Sequence, residues 1–167
     1  MHNFRITKYN PKFRDDNDVF TNDEWTSYYD IGETFSNSKF TLADYIKWEK
    51  KYMDAIHIIM KANNIEYLKV SDLEKCSDQK HENFLESHII EFFNILHDNM
   101  NVFQKDIDKL FELILREIVW CKLSSESMVV HFGYDYYMYI DSNSALDAEK
   151  NKIKNLGLFV ENKKSPY

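Results

Sequence analysis

His131 is the residue whose type and setting come closest to acid–base chemistry. It sits in the apolar run Met128 to Phe132, ahead of Asp135 and close to Tyr134, Tyr136, Tyr137 and Tyr139. A histidine beside a carboxylate and a phenol can take up and release protons near neutral pH. A plainer reading is preferred. Strand alternation turns His131 to one sheet face, where a hydrogen bond satisfies it and no cleft is required. His88 and Glu91 would share a helix face and could hold a metal, but such a site needs three or four convergent ligands. His81 and His97 fall off that face. His57, between Ile56 and Ile58, reads as a partly buried helix residue, and Cys121, between Trp120 and Lys122, as a buried, inert thiol. The chain has no glycine-rich phosphate loop, no GxSxG elbow and no HExxH zinc helix. No catalysis, metal or cofactor is expected.

A second chemistry is recognition. From Asp15 to Ser38 there is no lysine or arginine, while Asp15, Asp16, Asp18, Asp23, Glu24, Asp30 and Glu33 alternate with Phe20, Trp25, Tyr28 and Tyr29. Carboxylates mixed with aromatic anchors suit an interface that pairs with lysines and arginines; the plainer alternative is a solvated loop. The expected partner-binding surface is Asp15, Asp16, Asp18, Asp23, Glu24 and Trp25, followed by Tyr134 and Asp135. Alternation sends Tyr137 and Tyr139 to one face of a strand and Tyr136, Met138 and Ile140 to the other. Either one face is an exposed aromatic patch or both are packed, and packing on both faces is the favoured reading.

These residues need a scaffold, and 167 residues with 44% apolar and 16% aromatic content provide one domain with its own core. With 3 glycines and 2 prolines, an all-β fold built on tight turns is disfavoured. No apolar run approaches the roughly 20 residues that cross a bilayer, and Met1 to Arg5 lacks a signal-peptide core. Two cysteines without an export signal read as reduced, packed thiols, so a soluble cytoplasmic protein is expected. A net charge of −7 disfavours nucleic acid as partner.

The organising element is a β-meander over about 117–141. Val119–Leu123 and Met128–Phe132 form a hairpin across a polar serine-rich run, and a third strand, Tyr136–Ile140, follows Gly133, which could supply a positive φ. Phe4–Tyr9 reads as a first strand, 10–17 as a loop, Glu66–Val70 as a short strand and Leu158–Glu161 as a last one. The clearest helix is Thr41–Asn63, with Thr41 and Asp44 as a capping pair, Phe40 stapled onto Tyr45, and an apolar stripe that includes Leu42, Ile46, Tyr52, Ile56 and Ile59. Phe84–Leu96, with His88 on its buried face, and Asp106–Arg116 follow, and a fourth helix capped by Ser144 ends near Gly157. Thr21/Glu24 and Ser71/Glu74 have capping-box spacing for brief turns, Trp25–Ile31 reads as either turn or strand, and Gln79–His81 stay unassigned. The expected fold is α+β: a mostly antiparallel sheet with about four helices, and 162–167 as a charged tail.

Five segments resemble a group of small, largely uncharacterised proteins common in Gram-positive genomes. They are FRITKYNPKFRD (Phe4–Asp15), DEWTSYYDIG (Asp23–Gly32), LREIVWCKL (Leu115–Leu123), HFGYDYYMYI (His131–Ile140) and GLFVE (Gly157–Glu161). That group is associated with immunity in contact-dependent or polymorphic toxin systems. The resemblance implies a binding protein rather than an enzyme, with a cognate toxin domain, such as a basic nuclease, as its partner. Two other classes stay open: a small enzyme or ligand-binding protein with a pocket at His131, Asp135 and Tyr137, and a self-associating structural or regulatory protein.

Overall fold

The computed structural model describes residues 1–76, 85–133 and 135–166. Strand β1 (His2–Thr7) is followed by a loop with single helical turns at Pro11–Phe13 and Tyr28–Asp30 and a small hairpin, β2 (Thr34–Phe35) and β3 (Ser38–Lys39). Helix α1 (Leu42–Ala62) leads to β4 (Tyr67–Lys75), then α2 (Ser87–Ile95), β5 (Asn101–Phe103) and α3 (Gln104–Leu115). The meander β6 (Val119–Ser124), β7 (Met128–Phe132) and β8 (Met138–Ser142) comes next, and α4 (Asp147–Asn155) and β9 (Phe159–Asn162) end the chain. The architecture is the expected α+β domain, with four helices and a seven-stranded sheet in the order β5-β4-β6-β7-β8-β1-β9, every neighbouring pair antiparallel. The first strand thus lies between β8 and the last strand, which ties both ends of the chain into one sheet.

Alternation explains the core. Phe4 pairs with Ile140, Ile140 with Val130, and Val130 with Leu123, which pairs with Val70, so one apolar row crosses five strands. Against it pack Tyr52, Ile56, Ile59 and Met60 of α1 and Ile107, Leu110 and Phe111 of α3, all fully buried. Each such aliphatic side chain contributes about 1.5–3 kcal/mol by leaving water. The core tyrosines are hydrogen-bonded too: Tyr52 donates to the Tyr136 carbonyl (2.7 Å), and Tyr136 donates to that of Leu115 (2.5 Å).

Several local expectations are corrected. Thr41 and Asp44 do form the capping box of α1, but Leu42 and Ile46 are 48% and 46% exposed. The buried stripe runs through Glu49 instead, whose carboxylate accepts two hydrogen bonds from Arg116 (2.8 and 2.9 Å). Ser71 and Glu74 cap nothing. The β4–β6 ladder runs through them, and the register shift between them, with Asp72 at φ 55°, is a bulge. The helical turn near Trp25 is capped by Ser27 and Asp30, not Thr21 and Glu24. Leu146, at φ 53°, is the N-cap of α4 and has no side-chain cap, so Ser144 does not hold that position. His88 is exposed on α2 rather than buried, and Cys76 is exposed while Cys121 is buried; both are free thiols. Among the described residues of the β7–β8 turn, Asp135 and Tyr136 are left-handed and Gly133 is not. Strand β8 is packed on both faces, with Met138, Tyr139 and Ile140 all buried. The expectations for Gln79, His81, Phe84 and Tyr134 fall outside the described residues. No described helix is long and apolar enough to cross a membrane.

Candidate functional site: a closed polar face and an apolar cavity

The sheet face away from the apolar row is polar. Register lines up Glu161, Arg5, Tyr139, His131 and Lys122 across β9, β1, β8, β7 and β6. Arg5 is buried, so its charge has to be met. Its guanidinium donates to both oxygens of Glu161 (3.0 and 3.1 Å) and to both oxygens of Asp18 (3.2 and 3.3 Å). Arg14 donates to the Tyr137 hydroxyl (3.0 Å) and to Glu161 (3.4 Å), and Lys163 of the C-terminal segment donates to Asp18. Both guanidinium carbons lie over the Tyr137 ring, at 4.8 and 5.2 Å. Desolvation would raise the Asp18 carboxyl, but hydrogen bonds from Lys163 and Arg5 outweigh it and hold it down to about 2.

Lys8 is the second buried cation. Its ammonium lies 4.0 Å from the Tyr9 ring centre, 4.1 Å from that of Trp25 and 3.2 Å from a Glu24 oxygen. Burial pushes it down to about 8 despite Glu24. Its own backbone amide donates to the Tyr52 hydroxyl (2.9 Å), which joins the N-terminal loop to the core.

His131 is buried, its Nε2 2.7 Å from the Ser165 hydroxyl and its ring stacked on Tyr139 at 5.6 Å. Burial, then the neighbouring Lys122 charge, lowers its affinity for a proton, with Asp141 opposing. The open alternative places it in a pocket with Asp135 and Tyr137. The Tyr137 hydroxyl is taken by Arg14, and Asp135 stands at an exposed turn, lining a different cavity.

The expected partner-binding residues divide in two. Trp25 is corrected most sharply: it is 7% exposed, stacked on Phe40 at 4.5 Å, and is a core residue rather than a surface anchor. Asp18 and Glu24 neutralise buried cations, and Asp23 accepts from the Ser36 amide (2.9 Å). Asp15 accepts from the Asn17 and Val19 amides (both 2.9 Å) and shapes its loop while staying exposed; Asp16 is exposed as well. In this loop Arg14 bridges Phe20, and the Asp15 and Thr21 amides bond the Val19 and Phe13 carbonyls. Next to that bridge, Phe13 and Val19 are 46% and 57% exposed. Tyr134 lies outside the described residues.

Sequence reasoning missed Arg5, Lys8, Arg14, Glu161 and Lys163. One signal was present: Arg5 and Lys8 fall in the segment Phe4–Tyr9 among Phe4, Ile6 and Tyr9, a setting in which a cation can be buried under a second layer.

The cavity that Asp135 lines has a volume of about 360 Å³ and lies where the β6–β7 pair meets the α3–β6 turn. Trp120, Phe132 and Tyr136 are among its lining residues, with Ile118 and Val119. Glu117, at φ 60°, lines it too, its carboxylate accepting from the Ser27 hydroxyl (2.6 Å) and the Tyr28 amide (3.1 Å). Among the described residues no group of three or more histidines, cysteines or carboxylates is placed to hold a metal.

No family model, no curated protein and no solved structure matches the chain.

Proposed function

We propose that this chain is a binding protein of the immunity type, which neutralises a toxin domain by steric and electrostatic occlusion and performs no chemistry of its own. The observation that carries the reading is the outer face of the N-terminal loop. There Phe13 and Val19 are exposed beside Asp15 and Asp16, on a chain of net charge −7. Exposed apolar side chains supply contact area, and carboxylates around them attract a basic partner and orient it. A basic toxin domain fits that surface, a nuclease with a phosphate-binding patch being the leading example. The closed polar face supports the same reading, because its charges are consumed in holding the loop.

The test has two stages. The tagged full chain captures partners from the lysate and secreted fraction of its native cells. Any captured domain is then titrated against the wild type and a Phe13→Ser, Asp16→Lys variant; Asp15 is kept because its carboxylate shapes the loop. The variant should bind at least tenfold more weakly, and wild-type binding should weaken as salt rises. Equal binding by the two proteins, no partner at low salt, or no protection of cells co-expressing the captured domain overturns the reading.

A further inference from the structure

The 360 Å³ cavity is not used by the docking reading, and its lining has a chemistry of its own. Among the described residues, its lining includes the aromatic residues Trp120, Phe132 and Tyr136, and three carboxylates, Glu74, Glu117 and Asp135, against one ammonium, Lys75. That ammonium is already engaged, donating to the Phe93 carbonyl (2.5 Å) and lying 4.6 Å from the Phe93 ring centre. The lining is therefore anionic as well as aromatic.

We propose that this cavity binds a small organic cation of the aryl- or alkylammonium class. Ring faces attract a cation through their quadrupole, most strongly where water is displaced. Carboxylates at the same site favour that charge and repel an anion. An uncharged ligand would gain the apolar contact alone. The volume lies in the lower part of the roughly 300–1,000 Å³ range of small-molecule pockets, enough for a substituted ammonium with one ring. Glu117, Asp135 and Tyr136 all adopt left-handed backbone, at φ 60°, 62° and 60°. Two of these three are held by hydrogen bonds within the protein, Glu117 by Ser27 and Tyr28, and Tyr136 by the Leu115 carbonyl, so the wall is formed before any ligand arrives.

The full-length protein tests this with benzyltrimethylammonium as the cationic probe and N-benzylacetamide as an uncharged probe of similar size. Binding is followed by titration calorimetry and by the Trp120 indole resonance in NMR. The cation should bind at least tenfold more tightly than the amide and shift the Trp120 signal. Asp135→Asn should weaken the cation several-fold without affecting the amide, and Thr26→Lys, which adds a competing ammonium at an exposed lining position, should do the same. Equal affinity for the two probes, no shift at Trp120, or no effect of either variant overturns the proposal. Neither variant removes a core contact, so folding does not confuse the result. The cavity and the loop face share no residue, so each proposal can fail alone.

Discussion

Arg5 on the first strand grips Glu161 on the last through two parallel N–H···O bonds of 3.0 and 3.1 Å, and the same guanidinium reaches Asp18 in the loop between. One buried cation thus joins strand, loop and C-terminal strand. Arg5→Ala removes the buried charge and its hydrogen bonds, while Glu161 and Asp18, 19% and 40% exposed, keep Arg14 and Lys163 as partners. It should therefore destabilise the protein by roughly 2 kcal/mol, the scale of charged hydrogen bonds lost. Glu161→Gln, which leaves Asp18 in place, should cost less. Urea denaturation checks both, and a loss under about 1 kcal/mol for Arg5→Ala would show the pair to be incidental.

Acid should loosen the loop before it unfolds the core. A carboxyl held down in the folded state adds stability above its unfolded value and loses it as pH falls through the folded one. For Asp18 that window runs from its ordinary 3.8 down to about 2. Because the side chain is 40% exposed, solvent screening limits the contribution to about 1 kcal/mol. Asp18→Asn should flatten the stability-versus-pH curve in that window. An unchanged curve would place the acid sensitivity elsewhere.

Lys8 gives a slope of the same sign in an alkaline window, but from an unfavourable cause. Burial lowers it from 10.5 to about 8, so between those values the unfolded chain binds a proton that the folded one does not. Stability therefore rises with pH across that range, by on the order of 3 kcal/mol in full. Near pH 10 and above, the buried Tyr9, Tyr45, Tyr52 and Tyr136 hydroxyls, all raised by burial, pull the other way, so the clean window is pH 8 to 10. Lys8→Met should abolish the rise and stabilise the protein at pH 7. Thermal melts at stepped pH decide it; an unaltered slope in the variant refutes the assignment.

The two thiols should separate cleanly. Cys76 is exposed, whereas Cys121 is buried and its thiol is pushed up to about 12 by burial. A thiol-labelling reagent at pH 8 should modify one cysteine per native chain and both in denaturant. Two fast reactions in the native protein would contradict the packing of β6.

The sequence by itself determined the elements whose signals are local. Thr41 and Asp44 are three residues apart, and the capping box they form starts α1 where their spacing requires. The alternation of Val119 to Leu123 and Met128 to Phe132 brings its own partner strand within a few residues, so the hairpin was legible too. Where a local signal competed with a sheet, it lost. The Ser71 and Glu74 spacing favours a helical turn, but their backbone groups are claimed by β6, which is distant in sequence. The tertiary structure alone decided what the acidic window does. Asp18 meets Arg5 and Lys163, and Glu24 meets Lys8, across separations that no spacing rule reads. Trp25 left the surface for the same reason. A carboxylate is drawn to whichever buried cation most needs it and an aromatic ring to whichever cavity excludes water, and both are set by which strands lie side by side.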